Sequence, residues 1–180
     1  MKLSYLSKFR EKNLFAGLLL FMILVVACSR SQDQVEFEKN AFQIPTGFTE
    51  TTPNGEIISV DEDDWRIGPM FQGLIEVEVP PFPNPTRGES LEMQLLINGR
   101  INGIRAVAYY DMFDERTWRL LDEHNQSPVE DMLVILTINP ADFDRTRSYS
   151  AARNINNGLH RLFIYDNRNN LITYGDIKLK

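Results

Sequence analysis

Cysteine and histidine are nearly missing from the 180 residues: Cys28 is the one thiol, and His124 and His160 are the two imidazoles. A lone thiol cannot close a disulfide within the chain, and no second thiol supports a zinc site. The chain also lacks a Gly-x-Ser-x-Gly elbow, a His-Glu-x-x-His pair and a glycine-rich phosphate loop. Those absences remove the usual sequence signs of serine hydrolases, zinc proteases and nucleotide-binding enzymes. No cofactor is expected and no catalytic residue stands out. A basic surplus is missing too. Residues 1–27 carry Lys2, Lys8, Arg10 and Lys12 against Glu11, a balance of +3, which leaves −9 on the rest of a chain whose net charge is −6. Phosphate backbones repel so acidic a body, so nucleic acid is excluded as an expected partner.

What is present first is an export pattern. A basic segment, residues 1–13, is followed by an apolar stretch over 14–27 that ends on the small residue Ala27. These are the parts of a secretory signal, and the stretch falls short of the ~20 residues that span a bilayer. Val25-Val26-Ala27-Cys28 resembles the lipobox of bacterial lipoproteins. The resemblance implies that residues 1–27 are removed as a signal peptide and that Cys28 becomes a lipidated N-terminus. Each buried CH₂ contributes about 0.8 kcal/mol, so the several acyl chains of such a lipoprotein hold it to its membrane essentially permanently. Ser29, where an aspartate would signal inner-membrane retention, resembles the outer-membrane pattern. The expectation is a lipid-anchored protein of the bacterial cell envelope, at the outer membrane, with the membrane itself as a partner through Cys28.

Residues 28–56 are polar and broken by Pro45, Gly47, Pro53 and Gly55, which reads as a flexible tether. Phe37, Phe42, Ile44 and Phe48 are more apolar than a pure linker needs, so some of them should pack on the domain. Residues 57–180 should form that domain. Leu91, Met93, Leu95 and Ile97 alternate with Glu92 and Gln94, the period of a half-buried strand. Comparable runs lie at 74–79, 104–110, 117–122, 132–139, 160–165 and 171–179. Asn-Gly pairs at 98–99, 102–103 and 157–158, with Asp166-Asn167, supply residues that tolerate the positive φ of tight hairpin turns. No convincing helix is expected; residues 140–144 suggest one turn crossing between sheets. About seven short strands predict an all-β fold, a single immunoglobulin-like β-sandwich.

Phe82-Pro83-Asn84-Pro85, Leu91–Leu95, Val107-Ala108-Tyr109-Tyr110-Asp111 and Gly158-Leu159-His160-Arg161-Leu162-Phe163-Ile164 resemble successive motifs of the type IX sorting-domain class of Bacteroidetes secreted proteins. The resemblance covers about the last hundred residues, from Pro81 to Lys180. It implies a β-sandwich and suggests a role beside the secretion or surface-display machinery.

Other residues carry candidate chemistry. Asp61-Glu62-Asp63-Asp64 repel one another, and a calcium ion bound by Asp61, Asp63 and Asp64 would relieve that. The plainer alternative is a solvated loop ahead of Trp65, screened by Arg66. His124, beside Asp122 and Glu123, reads as a hairpin tip rather than a metal ligand, because neighbours on a turn cannot all face one ion. His160 reads as a half-buried residue at a sheet margin. Trp65, Phe71, Tyr109, Tyr110, Trp118 and Tyr149 are enough aromatics to make a binding face, but aromatics in a sandwich are first of all core residues, and Trp65 and Trp118 are expected in the core or at its rim. Residues 145–153, with Arg145, Arg147 and Arg153, form the basic cluster where an acidic partner would be sought. The sequence thus points to a non-catalytic interaction or structural module of the envelope with a possible envelope-protein partner. The alternatives are an accessory of secretion or surface display, and a glycan-binding or hydrolytic lipoprotein.

Overall fold

The structure, a computed structural model, describes residues 32–110 and 117–180. Cys28, the apolar stretch before it and Asp111 of the third motif lie outside the described residues. The strands are β1 (Glu50–Thr51), β2 (Ile57–Ser59), β3 (Ile75–Phe82), β4 (Leu91–Ile101), β5 (Ile104–Tyr109), β6 (Trp118–His124), β7 (Val129–Ile138), β8 (Leu159–Tyr165) and β9 (Leu171–Lys178). β1 and β2 make a two-stranded ribbon. The other strands form two antiparallel sheets, β3-β4-β7 and β6-β5-β8-β9.

Period-two patterning explains why the sheets stack. Leu91, Met93, Leu95 and Ile97 of β4 point inward beside Val134, Leu136 and Ile138 of β7. Ile104, Ala106 and Ala108 of β5, with Leu162 and Ile164 of β8, meet them from the opposite sheet. Burying a Leu or Ile side chain contributes roughly 1.5–3 kcal/mol, so this double layer dominates the stability of the fold. Counted along the chain, the seven long strands run 1-2-5 in one sheet and 4-3-6-7 in the other. That is the immunoglobulin arrangement with the fourth strand moved to the second sheet. The expected all-β sandwich is therefore the observed fold.

The turns behave differently from their sequence pattern. Asn98-Gly99 does not turn the chain; it lies within β4, where the register against β7 shifts between Ile97 and Arg100. A Cβ at Gly99 would collide with Leu74, so the glycine serves a close approach at a bulge. Asn102-Gly103 carries the chain from one sheet to the other, with Gly103 at φ +68°. Asn157-Gly158 ends an irregular turn leading into β8. Asp166-Asn167 does open a hairpin, between β8 and β9. Asp166 Oδ1 accepts from the backbone N–H groups of Arg168 and Asn170, each at 2.8 Å, and fixes that turn.

Helices also form, against expectation. Residues 32–41 are helical (α1), and Tyr149–Asn154 form α2, with Ser148 Oγ accepting from Ala151 N at its start. Residues Pro140–Phe143 make a 3-10 turn, in keeping with the single turn expected there. α1 overturns the tether from residue 32 onward. Gln34, Phe37 and Ala41 face one side at helical spacing and are buried on the outer face of the four-stranded sheet. There Phe37 and Ala41 join Phe163, Leu171 and Tyr174 in a second, smaller core, with Phe42 beside them. Ile44 stays exposed.

Candidate functional site

The acidic run resolves into a structural clasp. Asp64 is buried, and its Oδ2 accepts from Thr49 N at 2.6 Å while its Oδ1 accepts from Asp176 N at 2.9 Å. Asn84, of the Phe-Pro-Asn-Pro motif, is fully buried. Its Nδ2 donates to Thr49 O at 2.8 Å and Asp176 O at 2.9 Å, and its Oδ1 accepts from Lys178 N at 2.9 Å. Backbone N–H groups of Trp65 and Gly68 donate to Tyr174 O and Ile172 O, each at 2.7 Å. Two side chains and two loop amides thus complete the outer edge of β9, which would otherwise be open to strand addition.

Charge is balanced in the same place. Arg161 donates two bonds to Asp176, two more to Ala41 O and Gln43 O at 3.1 and 2.9 Å, and lies over the Tyr174 ring. One guanidinium therefore ties the end of α1 to the last strand. Burial, and next the nearby Asp176 charge, push the Asp64 carboxyl up to about 7. Burial raises Asp176 as well, against the pull of Arg161. Asp63 pairs with Arg66 at 3.2 Å on the surface, and Asp61 Oδ1 accepts from Asp63 N at 3.0 Å. Asp61, Asp63 and Asp64 therefore do not converge as ligands. Among the described residues no three His, Cys, Asp or Glu side chains are grouped to hold a metal ion.

A second feature is open to solvent. α1 covers the outer face of the four-stranded sheet over β8 and β9 and leaves β5 and β6 uncovered. Between them runs a groove of about 410 Å³, lined by Glu38, Phe42, Arg105, Val107, Tyr109, Trp118, Tyr165 and Asn169. Its construction follows from strand alternation. Arg105, Val107 and Tyr109 are the outward residues of β5, whose inward residues are in the core. Leu120 and Trp118 of β6 stand beside Val107 and Tyr109 on the same face. Trp118 is 47% exposed, whereas Trp65 is 8% exposed and stacked on Gly175 in the core. Of the two tryptophans expected in the core or at its rim, Trp65 lies in the core, and Trp118 stands half-exposed on the outer face of the sheet. The Tyr109 and Tyr165 hydroxyls lie 3.2 Å apart, and Arg105 Nη2 donates to Asp166 O and Asn169 Oδ1. The guanidinium is thereby held in a set direction beside the aromatic rings.

The remaining candidates are structural. His160 is half-buried at the margin of β8, Nε2 within 2.8 Å of Ala152 O and its ring against Phe143; burial lowers its pKa. The His124 ring has a buried Nε2 with no partner. Arg145 lies over the Tyr110 ring and Arg147 approaches Asp142 at 3.9 Å, so the basic cluster is partly engaged by its own domain. The Tyr149 hydroxyl bonds Thr86 O and Lys180 O and fastens the end of the chain. Sequence reasoning missed the groove because its far wall is α1. The signal available was the outward alternation of Arg105, Val107 and Tyr109 with Trp118. No described helix is long and apolar enough to cross a membrane. No protein-family model and no curated protein sequence matches the chain.

Proposed function

We propose that this chain is a lipid-anchored lipoprotein of the bacterial cell envelope whose β-sandwich is a non-catalytic binding module, with the groove beside α1 as its ligand surface. The observation that carries the reading is the exposed aromatic face of that groove. Solvent-exposed Trp118 beside Tyr109, with Arg105 held in place, is costly surface for a domain that has no use for it. Binding is favoured over hydrolysis. Glycoside hydrolysis uses two carboxylates flanking one bond, and the described lining of the groove carries one, Glu38. The anchor reading rests on Val25-Val26-Ala27-Cys28 after a basic and apolar leader.

The test is made in a bacterium that processes lipoproteins. The wild-type chain should take up a clickable palmitate analogue and fractionate with the outer membrane, whereas Cys28→Ser should be unlabelled and keep its leader. Equal labelling of both, or a wild type absent from membranes, overturns the anchor.

A further inference from the structure

We propose that the groove binds a glycan chain, with sugar rings lying against Trp118 and the tyrosine rings and their hydroxyls meeting Arg105, Asn169 and Glu38. This deepens the binding-module reading and rests on it. The argument is one of shape and polarity. A pyranose has apolar C–H faces and a periphery of hydroxyls that both donate and accept. The groove has the complementary arrangement: half-buried Tyr109 and Tyr165 and exposed Trp118 supply ring surface over a floor closed by buried Val107, while one fixed cation, one carboxylate and one amide supply donors and acceptors. Charge of both signs is present, so the lining selects for polarity rather than for an ion. The volume of about 410 Å³ falls in the range of roughly 300–1,000 Å³ usual for small-ligand sites.

A peptide fits less well. An extended peptide brings a backbone donor and acceptor with every residue and is bound best along a free strand edge. The groove floor is the face of β5, which is paired on either side by β6 and β8. The edge of β6 adjoins β7, where Thr137 N donates to Asp122 Oδ2 at 2.6 Å. The edge of β9 is completed by Asp64 and Asn84.

The experiment uses the full chain in a detergent without a sugar headgroup and reads affinity in wild type and variants by titration calorimetry, with tryptophan emission as a second readout in proteins that keep Trp118, since Trp118 is exposed and Trp65 is not. The probes are hexaoses of β-1,4-linked glucose, mannose, xylose and N-acetylglucosamine, α-1,4-galacturonate hexamer, and a pool of random decapeptides. At least one saccharide should shift the emission to the blue saturably. Affinity should fall at least tenfold in Trp118→Phe and Glu38→Gln, and stay unchanged in Ile135→Thr on the opposite sheet. No saccharide binding, or binding indifferent to Trp118 and Glu38, overturns the inference. Decapeptide binding that depends on Trp118, without saccharide binding, also overturns it yet leaves the binding module standing. Silence from both probe classes removes both.

Discussion

Arg161 and Asp176 are directly paired neighbours on β8 and β9 and hold each other through two parallel N–H···O bonds of 2.8 and 2.7 Å. Both side chains are almost completely buried, at 6% and 3% exposure. Breaking such a pair from one side costs far more than the pair contributes, because an uncompensated charge stays behind. Arg161→Leu strands Asp176 beside Asp64 and also frees Ala41 O and Gln43 O. The expected loss is about 3–5 kcal/mol in urea unfolding. Arg161→Leu combined with Asp176→Leu should recover part of it. A single variant as stable as the wild type would remove Arg161 as the tie between α1 and the last strand.

Asp64 gives the fold a pH dependence of unusual sign. Its folded pKa stands near 7, above the ordinary 3.8. The folded state therefore holds this proton more tightly than the unfolded chain does. The associated stability is fully present below about 3.8 and is lost as pH rises toward 7. The slope from one such group is at most about 1.4 kcal/mol per pH unit. Urea midpoints measured from pH 4 to pH 8 should fall with rising pH by more in the wild type than in Asp64→Asn. Parallel profiles for the two proteins would contradict the assignment.

The two tryptophans should answer a quencher differently. Acrylamide should reach Trp118 and spare Trp65, giving a biphasic quenching plot that becomes uniform in Trp118→Phe. Trp118→Ala should change stability by about 1 kcal/mol or less, because much of the ring is already in water. Trp65→Ala, which empties the space over Gly175, should cost about 3–5 kcal/mol.

The sheets were legible because their residues alternate where each strand has one face on the core, as Leu91 to Ile97 show. What the pattern could not reveal was which strands pair. Asn-Gly at 98–99 and 102–103 advertises hairpins, yet the first sits in a bulge and the second crosses between sheets. Turn chemistry reports permitted φ, not partners. α1 escaped because its buried positions are Gln34, Phe37 and Ala41, one polar, one large and one small, in a charged segment. The clasp escaped for a related reason. A carboxylate in a run of four looks solvated until the distant amides of Thr49 and Asp176 converge on it. The groove needed both α1 and the register of Trp118 against Tyr109, neither of which is local.

The docking of α1 from residue 32 also decides how far the body can stray from position 28. Four peptide steps separate Cys28 from Gln32, a contour of about 13 Å even when drawn straight. A fatty chain on that thiol would keep the sandwich riding low over the headgroups on a very short leash. Whatever settles beside Trp118 would then have to be met in that thin layer, by lateral diffusion rather than by reaching outward.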